Sequence, residues 1–163
     1  MMDAKKLTRT SLLAAAALVV FVIEAQIPPL TPIPGIKSGL SNIFSLVALT
    51  YLGPLSGICV TLIRIILGGF LTGQVSAMLY SFAGAVPSFV FCLITVRYFK
   101  KSHIWPMSCI SAVIHNLGQL VLAVIITQTP ELAAYLPLLI ISGVITGAFT
   151  GICSELVFRR ISK

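Results

Sequence analysis

The 163-residue chain is 58% hydrophobic and only 9% charged, with a mean hydropathy of +1.07, whereas soluble domains carry charge on about a quarter of their residues. This excludes a water-soluble globular domain and leaves a chain built for a lipid bilayer. The surplus of 11 Lys and Arg over 4 Asp and Glu does not imply a nucleic-acid partner, because the cations cluster at the ends of apolar stretches, where they set membrane orientation.

A spanning helix needs roughly 20 mostly apolar residues. Punctuation by Pro, Gly and charge predicts six spans near 10–29, 39–53, 54–71, 75–96, 106–127 and 134–157, which fill residues 1–163 as a single transmembrane domain. Lys5, Lys6 and Arg9 precede the first span. Its apolar run from Leu12 to Leu30 is long and lacks a small-x-small cleavage site, so it reads as a retained helix rather than a signal peptide. The second span is short and meets the third at Tyr51-Leu52-Gly53-Pro54 with almost no polar linker, as a tight hairpin or a partly re-entrant pair does.

Arg97, Lys100 and Lys101 follow the fourth span, and Arg159, Arg160 and Lys163 follow the sixth. With a cytoplasmic N-terminus both clusters fall inside, giving an all-α, N-in/C-in bundle of about six helices in a cell membrane. The outer connections then carry only Lys37 and Glu131. The longest, 27–38, holds Pro28, Pro29, Pro32 and Pro34, which favour extended backbone and predict a cap over the outer face.

Ionisable groups inside a bilayer cost at least about 2.5 to 3.5 kcal/mol each on insertion scales, so each needs a reason. Arg64 falls mid-span, with Glu24 in the outer third of the first helix as its nearest carboxylate in depth. Two readings are open: a structural Arg64–Glu24 pair, or an arginine that binds an anion. His115 and Asn116 are mid-span in the fifth helix with Gln119 one turn on, and three polar groups from one helix predict a cavity wall. No carboxylate accompanies His115 at ligand spacing, so no metal site is expected. Ser38, Ser41, Asn42 and Ser45 share one helical face that must turn inward, and Lys37 beside them extends the polar path. Glu155 reads as an interfacial charge near Arg159 or a contact for a cytoplasmic partner.

Gly143, Gly147 and Gly151 form a small-residue stripe suited to close helix packing. Gly68 to Gly73 and Thr146 to Gly151 look alike, and an inverted repeat or small-residue packing each accounts for that. Cys59, Cys92, Cys109 and Cys153 form no C-x-x-C pair and read as small, reduced apolar residues, although their common depth on four helices is what an intramembrane iron–sulfur ligand set requires.

Three segments, Gly35-Ile36-Lys37-Ser38-Gly39-Leu40-Ser41-Asn42, Arg64-Ile65-Ile66-Leu67-Gly68-Gly69 and Ala112-Val113-Ile114-His115-Asn116-Leu117-Gly118-Gln119-Leu120, resemble the Gx transporter family. That family is also labelled heptaprenyl diphosphate synthase component I and is similar to the S-components of energy-coupling-factor (ECF) transporters. The resemblance implies a six-helix S-component-like fold, a pocket open to the outside, and docking through small residues of the first helix onto a coupling subunit driven by ATPases. In place of an A-x-x-x-A motif this chain offers Thr10-x-x-x-Ala14 and Ser11-x-x-x-Ala15. The synthase label finds no Asp-rich motif here, since Asp3 is the single aspartate, so an enzyme is not expected.

These observations predict a subunit that binds or transports a small anionic or amphipathic solute, with isoprenoid and quinone precursors as the chemical classes. The expected site is Arg64, His115, Asn116, Gln119, Asn42, Lys37 and Glu24. The two cations attract negative charge, and the amides and imidazole fix orientation. No cofactor is expected. Two alternatives are a membrane subunit of flavin- or quinone-linked extracellular electron transfer and an accessory component of heptaprenyl diphosphate synthase.

Overall fold

The computed structural model describes residues 3–26, 39–98 and 104–161, without the side chains of Phe158 and Ile161, and these residues form helices and no strand. The helices are α1 (Ala4–Gln26), α2 (Asn42–Val47, continued by the π-helical Ala48–Leu52), α3 (Pro54–Leu71), α4 (Val75–Thr95), α5 (Trp105–Thr127) and α6 (Leu136–Ile161), with a 3₁₀ turn at Pro130–Tyr135 before α6. Five of them are long and apolar enough to cross a membrane. Pro54 and Pro106 sit in the first turns of α3 and α5, where a missing N–H leaves no helical bond unmade.

The second predicted span is the exception. Its helical part runs from Asn42 to Leu52, about 16 Å at 1.5 Å per residue, roughly half of a ~30 Å hydrocarbon core. Gly53, at φ +96°, reverses the chain directly into Pro54, a backbone that a residue with Cβ adopts only under strain. The base of α2 therefore lies beside the start of α3, and its N-terminus ends inside the bundle.

Packing follows the chain around a ring. α1 runs parallel to α3: Thr10 Oγ1 donates to Ser56 Oγ at 3.0 Å, Ala14 and Ala17 pack with Ala48 and Val60, and Phe21 fills the notch that Gly68 leaves. α3 runs antiparallel to α4, with Gly57 against Phe89 and Gly69 against Met78. Within α4, Pro87 has no N–H for the Ala83 carbonyl, and Gly118 of α5 packs on that oxygen; a Cβ there would lie 2.3 Å from it. Gly143, Gly147 and Gly151 seat α6 on α5, with Cβ positions 2.4–3.1 Å from Trp105, Cys109 and Asn116 atoms. The stripe is helix-packing surface, and the two similar glycine segments meet unrelated partners. α2 closes the ring between α6 and the α1–α3 pair.

Lys5, Lys6, Arg9, Arg97, Arg159 and Arg160 all gather at one end of this bundle, here the basic end, where Lys6 Nζ approaches Gly53. Two apolar clusters sit at different depths. Leu46, Leu49, Cys92, Ile104 and Met107 lie towards the basic end, and Tyr80, Leu120, Ala123 and Leu139 lie towards the far end. The polar residues of the interior lie between and beside them. The prolines of 27–38, with the cap expected there, fall outside the described residues.

Candidate functional site

The N-terminus of α2 needs acceptors for its first N–H groups, and water cannot supply them within a bundle. The N–H groups of Asn42 and Ile43 bond back to the Gly39 and Leu40 carbonyls, and Glu24, 5% exposed, takes the two before them: its Oε1 accepts from Leu40 N at 3.0 Å and its Oε2 from Ser41 N at 3.3 Å. Ser41 is fully buried, and its Oγ accepts a 3.0 Å hydrogen bond from Nη1 of Arg64. Glu24 and Arg64 thus meet through Ser41, and their charges interact electrostatically.

Arg64 is only 3% exposed. Phe21, wedged over Gly68 one turn along α3, places its ring 5.9 Å from the guanidinium carbon, within the range of a cation–π contact. Nε and Nη2 are buried and find no hydrogen-bond partner among the described residues. Leaving such donors unmet costs roughly 1–3 kcal/mol each, so two idle nitrogens on a cation are an expensive arrangement for a purely structural arginine.

A cavity of about 70 Å³ lies between α2, α3, α4, α5 and α6, room for a few waters or a small polar head; Arg64 and Glu24 are not on its wall, which they approach only through their neighbours. Asn42, His115 and Asn116 line it, and so do hydroxyls that inspection of charge did not single out: Thr61, Ser88, Ser108, Ser111, Thr146 and Thr150. Ser45 Oγ on this wall is buried and unpartnered among the described residues. His115 lies against Gly84, with Nδ1 3.5 Å from Ser88 Oγ, and it interacts electrostatically with Arg64. Thr61, one turn before Arg64, and Asn42, next to Ser41, connect the two groups.

The expected residues therefore divide. Asn116 donates to the Leu139 carbonyl at 2.9 Å, bonding α5 to α6 while also facing the cavity. Gln119 is buried but is not on the cavity wall; it lies one turn further, level with the packed Tyr80–Leu120–Ala123–Leu139 cluster. Lys37 and Ser38 fall outside the described residues. Ser41 and Phe21, which hold and shield Arg64, carried no charge signal in the sequence.

Glu155 lies near the basic end of α6 and is buried. It is 9% exposed and accepts from the backbone N–H of Ile104 and Trp105, capping α5. Asp3 precedes α1 and Glu131 lies in the first turn of the 3₁₀ segment, positions where a helix dipole favours negative charge. The cysteines do not converge: Cys92 donates to Ser111 Oγ and Cys109 to the Val144 carbonyl, and no three His, Cys, Asp or Glu side chains among the described residues are grouped to hold a metal.

Long apolar helices gathered around buried polar groups define a multi-pass helical membrane protein. Residues 13–157 match the model of the heptaprenyl diphosphate synthase component I family, and the chain belongs to that family. Its description names one component of a synthase. Comparison with curated proteins and with solved structures gave no match.

Proposed function

We propose that the protein is a substrate-binding or transport subunit of the bacterial cytoplasmic membrane, similar to an ECF S-component, for a small anionic or amphipathic solute such as an isoprenoid or quinone precursor. The observation that carries this reading is Arg64, a buried guanidinium with two nitrogens unpartnered among the described residues, one helical turn from Thr61 on the wall of a polar cavity. Arg64 holds the anion, Asn42, His115 and Asn116 orient the remainder, and Lys37 adds attraction on the approach. Because Nε and Nη2 are shielded, the solute enters only when the Phe21 and Ser41 side of the site parts, as alternating access requires. No covalent step is involved.

On α1, Thr10 and Ala14 are buried inside the bundle while Ser11 and Ala15 are exposed. A coupling subunit would therefore meet the Ser11-x-x-x-Ala15 stripe. Uptake into cells expressing the chain tests the reading: Arg64→Ala and His115→Ala abolish accumulation while membrane levels stay normal, and undiminished uptake in both sinks it.

The family description supports a second reading, an accessory component of a prenyl diphosphate synthase. With a single aspartate the chain lacks the carboxylates that hold magnesium and diphosphate, so its part would be non-catalytic. Co-expression with a catalytic partner then raises chain elongation; an unchanged rate removes this reading.

A further inference from the structure

The hydroxyls on the cavity wall differ in one respect: each carries a single proton, and that proton is either committed or free. Thr61 on α3 gives its proton to the Gly57 carbonyl at 2.8 Å, and Thr146 on α6 gives its own to the Ser142 carbonyl at 2.9 Å. Ser88 bonds the Ala85 carbonyl in the same way, and Asn116 spends its amide nitrogen on the Leu139 carbonyl. These four line the cavity with oxygen lone pairs. Ser45 on α2 is the reverse case. It is 8% exposed, and its Oγ has no partner among the described residues, so its proton is unused. Because α2 packs between α3 and α6, the wall sets one idle donor between acceptors on the two flanking helices.

An ionised carboxylate brings lone pairs to lone pairs here, and an ammonium brings no acceptor for the Ser45 proton. A hydroxyl supplies both at one atom. Resting on the reading of Asn42, His115 and Asn116 as the residues that orient the solute, we propose that the part of the solute seated among them is a hydroxylated segment, an alcohol or diol. It donates to Thr61 and Thr146 and accepts from Ser45. Leu46, Leu49 and Phe89 line the cavity towards the basic end and pack against the carbons that carry the hydroxyls. At about 70 Å³ the space admits a short segment of this kind in place of a few waters. Water satisfies the same pattern, so a solute displaces it only by reproducing these hydrogen bonds.

The test uses the full chain in detergent micelles and three isomers as probes: propylene glycol with two hydroxyls, methoxyethanol with one and dimethoxymethane with none. The thermal unfolding midpoint, followed against probe concentration, is the readout. Propylene glycol raises it most, methoxyethanol less and dimethoxymethane not at all. Thr61→Val and Thr146→Val, which keep the branched shape and remove the oxygen, each weaken glycol binding about two- to tenfold, the loss of one hydrogen bond. Glycol binding undiminished in both variants overturns the proposal. Dimethoxymethane binding as tightly as the glycol overturns the hydroxyl assignment while leaving the cavity standing as a solute seat. If none of the three shifts the wild-type midpoint, water alone fills the cavity, and the orienting role of Asn42, His115 and Asn116 falls with the proposal. The isomer comparison is made on the wild type, so it needs no variant to fold, and the uptake assay on Arg64→Ala decides the anion site separately.

Discussion

Replacing Arg64 by methionine separates a binding arginine from a structural one. If Arg64 were the buried partner of Glu24, its removal would strand a carboxylate in the bundle and cost about 3–5 kcal/mol. The geometry predicts otherwise, because Glu24 retains the N–H groups of Leu40 and Ser41. Methionine removes the penalty of two buried unmet donors, about 2–6 kcal/mol together at 1–3 each. Against this stand the loss of one charge-assisted bond to Ser41, about 1.5–3 kcal/mol, and of the Phe21 contact, about 1 kcal/mol. The two sides nearly cancel, so Arg64→Met unfolds within about 1–2 kcal/mol of the wild type in reversible unfolding from mixed micelles. A loss of 3–5 kcal/mol, rescued when Glu24→Gln is added, would show a structural ion pair and refute the reasoning.

Three other outcomes follow from the packing. Glu155→Ala leaves the N–H groups of Ile104 and Trp105 without their acceptor and costs about 1–3 kcal/mol in the same unfolding assay, with Glu155→Gln intermediate; equal stability of all three proteins contradicts the capping role. Gly118→Ala places a Cβ 2.3 Å from the Ala83 carbonyl, and the forced separation of α4 and α5 costs about 1–3 kcal/mol and weakens solute binding by moving His115 off Gly84. For the orientation, an enzymatic reporter fused after Lys163 is active in the cytoplasm and a cysteine at position 37 reacts with an impermeant thiol reagent from outside; the reverse pattern inverts the topology.

Much of the fold was legible in the chain because a bilayer reads length and polarity directly. The third span was predicted at 54–71 and α3 is Pro54–Leu71, since Pro54 starts it and Gly73 follows its end. The second was expected at 39–53 as a short span in a tight hairpin or re-entrant pair, and its helical part, Asn42–Leu52, does turn directly into α3; what apolar content does not reveal is that its N-terminal turn stops inside the bundle. That stop depends on Glu24, 16 residues away, just as α5 depends on Glu155, 51 residues away; such caps are set by tertiary approach and leave no local pattern. At the site, cost of burial picked out Arg64, His115 and Asn116 correctly as buried polar groups. The same helical periodicity placed Gln119 with them, but periodicity gives a face and not a depth, and at the depth of Gln119 the interior is packed with Tyr80 and Leu120. Hydroxyls such as Ser88 and Thr61 are cheap to bury when bonded to their own helix, as Ser88 is to the Ala85 carbonyl, so they drew no notice although they form much of the cavity wall.

The central claim is that Arg64 holds a solute, and native mass spectrometry of gently purified protein tests it most directly, with Arg64→Met prepared in parallel. The account predicts a small acidic molecule bound to the wild type and lost from a variant that remains folded. The same molecule retained at equal occupancy by both proteins would contradict it.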